Sequence, residues 1–280
     1  MLNAWPTALF VLLWSSGAIF SRWGLDHASP FVLLTLRFGV ALAVLCLLGW
    51  RSRHGLPEPG TRWQVAATGL LLVGGYSCTY FLALDHGLTP GALATILGVQ
   101  PIATLLFQER KAPALRWLGL ALALAGLVLV VLDSLLHARV SVAGVGWALA
   151  ALGCITLGTM AQKRIAQPPT RVLPLQCAVA LVLCLALLPT QPLRLDAHPM
   201  LAVSVLWLGA VISVGATVLL YRLLRAGNLV NVTSLFYLVP GGTALLDWWL
   251  LGNRMAPLAL LGLGLVVAGL VLVFRARPAA

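Results

Sequence analysis

Tyr76 and Tyr80 stand one helical turn apart on the same face of an apolar stretch. Such a pair offers ring faces and hydroxyls to a flat, amphipathic solute. Trp14 and Tyr237 carry the same chemistry in other apolar stretches, so the four rings together are candidates to wall an aromatic pocket. An ordinary place in a helix core is the alternative for each ring taken singly. Ser15, Ser16, Thr95, Gln100, Thr156, Thr159 and Met160 would add polar and adaptable contacts, although a methionine more often fills gaps. Pro101 and Pro240 each interrupt an apolar run. A helical proline lacks its amide hydrogen and displaces the carbonyl four residues earlier, here Leu97 and Phe236. Those carbonyls become acceptors for a solute or water, unless neighbouring helices repair a simple kink. Arg37 is the strong cation set deepest in an apolar stretch. Two readings fit it: a clamp for a carboxylate, or a structural group that pairs with Asp26 or Asp85 or snorkels to the surface.

Catalytic chemistry finds no comparable support. His27, His54, His86, His137 and His198 all fall in connectors, no His/Cys/carboxylate cluster has metal-ligand spacing, and no glycine-rich phosphate loop follows a strand. The chain is expected to have no enzymatic activity, no metal and no cofactor.

These residues must be positioned by membrane helices. The 280 residues are 61% hydrophobic and only 9% charged, with a mean hydropathy of +1.00, whereas soluble domains carry about 25% charged residues. A bilayer span needs roughly 20 apolar residues, and ten stretches qualify, at about 4–22, 30–50, 62–84, 88–107, 113–132, 142–162, 172–189, 200–221, 229–247 and 256–274. Their mixed Leu/Ala/Val/Gly content without strict alternation favours helices over barrel strands. The fold class is an all-α integral membrane protein. The N-terminal run has no preceding basic residue and reads as a retained span, not a signal peptide. Cys46, Cys78, Cys154, Cys177 and Cys184 all lie within spans, as small apolar residues do.

Charge gives an orientation. With the N-terminus inside, the inner connectors carry Arg51, Arg53, Arg62, Arg110, Lys111, Arg116, Lys163, Arg164, Arg171, Arg222, Arg225, Arg275 and Arg277. The outer ones carry Arg22, Arg139, Arg194 and Arg254. This bias places both termini in the cytoplasm. The net charge of +11 then needs anionic lipid as its partner and no nucleic acid. Trp5, Trp50, Trp63 and Trp117 fall at inner ends and Trp23, Trp248 and Trp249 at outer ends.

The phrase Ala-Gly-Leu-Val-Leu-Val occurs at 125–130 and again at 268–273, and each copy follows an Ala-Pro pair, Ala112-Pro113 or Ala256-Pro257. Ten spans therefore divide into two five-helix repeats, 1–139 and 140–280. An odd number of spans forces the second copy to cross in the opposite sense, giving an inverted repeat with a site near mid-bilayer. In this alignment Leu36-Arg37-Phe38 lies opposite Leu175-Gln176-Cys177. Ala121 and Ala125, matching Gly264 and Ala268, form a small-residue face for close helix approach, and Leu265 is expected to face lipid.

Leu13-Trp-Ser-Ser-Gly-Ala-Ile-Phe-Ser-Arg22, Asp26-His-Ala-Ser-Pro30, Leu36-Arg37-Phe38, Gly98-Val-Gln-Pro101, Glu109-Arg110, Pro113 and Ala125-Gly126 occur in that order, and the segment from Val239-Pro240 to Gly269 repeats the later part. The pattern resembles the EamA-type carriers of the drug/metabolite transporter superfamily, and among them looks most like the YddG-type exporters of aromatic amino acids. The second copy departs from the family's pattern in having Asn253 where the first has Glu109. The resemblance implies export of small metabolites, aromatic amino acids first, across the cytoplasmic membrane by alternating access. Spans 1, 3, 4, 6, 8 and 9 would surround the site, and spans 5 and 10 would brace it. It also implies a structural Arg37, since carriers of varied substrates share that arginine. Exchange of nucleotide-linked or phosphorylated sugars, or a receptor role without transport, are the alternatives. No Asp or Glu falls near the centre of a span, which favours facilitative over proton-coupled transport. A monomer or a weak homodimer is expected.

Overall fold

The structure is a computed structural model describing residues 4–52, 56–109, 112–136, 141–251 and 257–276. Asn253, Ala256, His54, His137, Arg53, Arg110, Lys111, Arg139, Arg254 and Arg277, which entered the sequence reading, lie outside the described residues. Among the described residues the regular elements are helical, apart from an isolated antiparallel bridge between Ala28 and Leu195. Nine helical stretches among them are long and apolar enough to cross a bilayer: Trp5–His27, Pro30–Gly49, Arg62–Asp85, Pro90–Gln108, Val142–Lys163, Pro169–Thr190, Pro199–Ala226, Leu229–Leu246 and Pro257–Arg275. The fifth expected span corresponds to a shorter apolar helix, Ala114–Val130, which stops where Val131 leaves helical geometry at φ −104° and ψ 13°.

The elements are α1 (Ala4–His27), α2 (Pro30–Ser52), α3 (Arg62–Gly69), α4 (Tyr76–Asp85), α5 (Pro90–Leu97), α6 (Gln100–Gln108), α7 (Ala114–Val130) and α8 (Leu132–Leu136). They continue with α9 (Val142–Lys163), α10 (Pro169–Leu187), α11 (Pro199–Leu206), α12 (Thr217–Ala226), α13 (Leu229–Ser234), α14 (Leu238–Leu251) and α15 (Pro257–Arg275). Helix α1 runs past the expected end near residue 22, so Arg22 and Trp23 lie in its last turns and not in a connector. Two π-helical segments, Leu70–Gly75 and Trp207–Ala216, join α3 to α4 and α11 to α12. Under 1% of residues in globular proteins are π-helical, and such segments cluster at functional sites. Hydroxyls occupy the carbonyls that the wider turns loosen: Thr217 Oγ1 donates to Ile212 O, five residues back, and Thr79 Oγ1 to Gly75 O.

The chain divides into two compact units, each drawing on both halves of the sequence. One comprises Met1–Ser16, Ala83–Leu152 and Gly227–Ala280; the other comprises Gly17–Leu82 and Gly153–Ala226. The first is organised around α7 and α15, which lie against each other antiparallel. A Cβ on Gly119 would stand 2.7 Å from the Gly269 carbonyl oxygen, and one on Gly126 would stand 2.5 Å from that of Gly262. Only glycine permits this backbone contact. The face expected from the sequence is not the one used: Ala121, Ala125 and Ala268 are exposed, and Gly264 has no neighbour within contact. The physical reason is that the two backbones touch through residues without a Cβ, which selects the glycine stripe over the alanine stripe. Leu265, expected to face lipid, is half-buried beside Gly126. Leu105, Leu120, Leu127, Val266, Leu270 and Val273 complete that core.

In the second unit α10 packs against α2, against α3 and against the first π segment, and α2 packs against the second π segment. Gly209 admits the close approach there: a Cβ on it would lie 2.7 Å from the Val40 side chain and 2.9 Å from the Arg37 carbonyl oxygen.

Candidate functional site

Both proline-marked helices are broken. The helix of residues 90–108 interrupts at Gly98 and Val99, just ahead of Gln100-Pro101, and that of residues 229–251 at a 3₁₀ turn, Leu235–Tyr237, just ahead of Pro240. The break in each case falls in the turn preceding proline, where the missing amide leaves the helix unsupported. At the second break the first unit uses Ser15 as a tie between helices. Ser15 Oγ donates to Val11 O (2.7 Å) and Val239 O (3.1 Å), and Thr243 Oγ1 donates to Ser15 O (3.0 Å). Trp14 packs on Phe10 and, edge to face, on Phe236 at centroid distances of 5.3 and 5.4 Å. Tyr237 is buried in the core with Leu105, Leu120 and Leu127, its hydroxyl without a hydrogen-bond partner. Gln100 is buried at the start of α6, where its carbonyl accepts from Thr104 Oγ1. Thr95 Oγ1 bonds back to Gly91 O.

The same unit holds a network that the sequence reading missed. Arg116, there counted among connector cations, is wholly buried in the first turn of α7. Its Nη1 donates to both oxygens of Glu109 at 2.6 and 2.7 Å, and Nη2 to Oδ1 of Asn228 (2.8 Å) and of Asn231 (2.6 Å). Asn228 in turn donates to Glu109 Oε1 at 3.0 Å, and its Oδ1 caps the amides of Val230 and Asn231 at the start of α13. The cluster ties the end of α6 to the starts of α7 and α13. Its sequence signal was faint: Glu109 and Arg116 flank a connector, and their asparagine partners lie over a hundred residues away.

In the second unit Arg37 is half-buried on α2, which packs against the second π segment. Its Nε donates to Ser213 Oγ at 2.8 Å, and its guanidinium carbon lies 5.4 Å from the Phe38 ring centroid. Tyr76, Tyr80, Cys177 and Cys184 are within electrostatic reach of it. The Tyr76 and Tyr80 rings are 5.8 Å apart, tilted at 58°, and both keep accessible surface. The ion pairs among the described residues are Arg116–Glu109 and Arg171–Glu58, and Arg37 belongs to neither. Among the described residues of its own unit Arg37 forms no ion pair with Asp26, and its Nε is engaged by Ser213 of the second π segment. Gln176, its counterpart in the sequence repeat, is enclosed: Nε2 donates to Gln162 Oε1 at 2.8 Å, and Oε1 accepts from the Tyr221 hydroxyl at 2.6 Å. Thr159 is buried and bonds to the Ile155 and Thr156 carbonyls, while Met160 is half-buried. Ser213 carried no signal in the sequence, since a lone serine in an apolar run has no pattern to mark it.

The profile of the EamA-like transporter family matches residues 5–132 and 142–275. The uncharacterized inner membrane transporter YedA of Escherichia coli strain K12 is 29% identical over 297 residues, covering 97% of this chain and 92% of YedA; YedA of strain O157:H7 matches to the same extent. A protein of known crystal structure has the same fold, with a TM-score of 0.81 at 24% identity, covering 97% of this chain and 96% of its own.

Proposed function

Because the chain belongs to the EamA-like transporter family, it is a membrane transporter and not an enzyme, and we propose that it exports small metabolites, aromatic amino acids first among them, across the cytoplasmic membrane. The observation that carries the mechanism is the recurrence of one element order. An unbroken pair of helices, a helix with a π segment, a helix broken ahead of proline and a glycine-faced helix occur once before residue 140 and once after it. Gly119 and Gly126 face Gly269 and Gly262, their own repeat mates exchanged, as two copies related by a two-fold axis would. This supports ten spans in a 5+5 inverted repeat and alternating access through exchange of the two copies' conformations. YedA is described as an inner membrane protein, and the basic connectors favour cytoplasmic termini.

Substrate contacts are assigned to Tyr76 and Tyr80, which present accessible aromatic surface, and to Met160 of the same unit; Thr95 and Gln100 flank the first break, and the breaks at Pro101 and Pro240 are assigned as the moving points. Trp14, Ser15 and Tyr237 hold the second break in shape, and Thr159 braces α9. Sugar-phosphate exchange would call for clustered cations, whereas the groups within electrostatic reach of Arg37 are two tyrosines and two cysteines.

Counterflow in proteoliposomes with labelled Phe, Tyr, Trp, Thr and a phosphorylated sugar tests the reading. Amino-acid counterflow is expected, with flux reduced at least tenfold by Tyr76→Ala and Gln100→Ala and unchanged by Leu261→Ala, whose side chain is exposed. Equal effects of all three would remove the site assignment. Transport is expected to be facilitative, so an imposed pH gradient should drive no uphill accumulation.

A further inference from the structure

We propose that Arg37, positioned by Ser213 and flanked by Tyr76 and Tyr80, is the anchor for a single carboxylate on the transported solute. The inference rests on the transport reading and names the substrate class as monocarboxylates with an apolar or aromatic body.

The groups around the Arg37 guanidinium come from α2, α4, α10 and the second π segment. Ser213 lies in the longer π segment, and Tyr76 is the residue that follows the shorter one. Ser213 Oγ accepts a hydrogen bond from the Nε–H and so fixes the plane of the guanidinium. The two terminal nitrogens have no partner among the described residues. A guanidinium does not lose its charge, and two parallel N–H donors fit the two oxygens of a carboxylate. Charged side chains at membrane depth face a cavity or a counter-charge, and Arg37 retains accessible surface while lacking a carboxylate partner among the described residues. The neighbouring tyrosine rings supply the surface for an apolar body.

The test uses the full-length protein purified in detergent, with 3-phenylpropionate, 3-phenylpropanol, phenethylamine and phenyl phosphate as probes in a thermal-shift titration. Wild type should be stabilised by 3-phenylpropionate at least tenfold more potently than by 3-phenylpropanol or phenethylamine. Arg37→Gln should abolish that preference while weak binding of 3-phenylpropanol is retained. Arg37→Lys should keep part of it, since charge remains but the fork is lost, and Ser213→Ala should weaken it less than Arg37→Gln does. Wild type that binds the alcohol as well as the acid overturns the proposal. So does Arg37→Gln protein that keeps the preference, and so does tighter binding of phenyl phosphate. A structural Arg37 would instead lower the unliganded melting temperature in Arg37→Gln and Arg37→Lys with the acid preference intact, which also overturns it. Amino-acid counterflow is read separately. If no amino acid moves but 3-phenylpropionate binding depends on Arg37, the export reading fails and the carboxylate site stands.

Discussion

Arg116 and Arg37, one in each compact unit, have complementary surroundings. Arg116 has both terminal nitrogens engaged, by a carboxylate and two asparagine oxygens, and it is the Nε that lacks a partner. Arg37 has its Nε engaged by a serine, and its terminal nitrogens are left to what arrives. Arg116 shows what this protein builds when a guanidinium is structural: neutralised charge, no exposure, and partners such as Glu109 and Asn228 that are also bonded to each other. Arg37 has none of these. A desolvated ion pair tolerates the loss of both members far better than the loss of one, whereas an accessible cation held by a single hydroxyl contributes little to stability and much to recognition.

The largest effect is expected from Arg116→Ala, which leaves the largely enclosed Glu109 without its counter-charge and should cost about 3–5 kcal/mol of stability, read as a collapse of the melting temperature in detergent. A drop no larger than that of an exposed arginine would remove the contrast. Combining Arg116→Met with Glu109→Leu should recover more than half of that loss, because no isolated charge remains. Gln176→Leu is expected to cost about 1–3 kcal/mol, since it orphans Gln162 and the Tyr221 hydroxyl. The smallest change belongs to Arg37→Gln, within about 0.5 kcal/mol of wild type in unliganded stability; its penalty should appear in solute binding. Should Arg37→Gln unfold the protein as Arg116→Ala does, the two arginines are alike and the receptive reading of Arg37 is lost.

How far the sequence reaches can be judged residue by residue. Pro101 and Pro240 announced the two helix breaks, because a missing amide is a local property that no tertiary context restores. The repeat phrase at 125–130 and 268–273 marked the two glycine-faced helices. The stripe they use was not legible: Ala121 and Ala125 have the four-residue spacing of a small-residue face, whereas the glycines that touch the partner backbone, Gly119 and Gly126, are seven apart. Ser15 and Tyr237 looked like pocket residues because polar atoms in apolar runs draw suspicion. The fold spends the first on a helix tie and buries the second among leucines.

Composition, the spacing of apolar runs and the placement of prolines determined by themselves that this is a helical membrane protein of duplicated design, since hydropathy and backbone chemistry act over a turn or two of chain. The fates of the two arginines were decided elsewhere. Whether a guanidinium meets a carboxylate, an amide or an open space depends on residues more than a hundred positions away, such as Asn228 for Arg116 and Ser213 for Arg37. Such partners are chosen by helix rotation and packing, which a linear pattern does not encode.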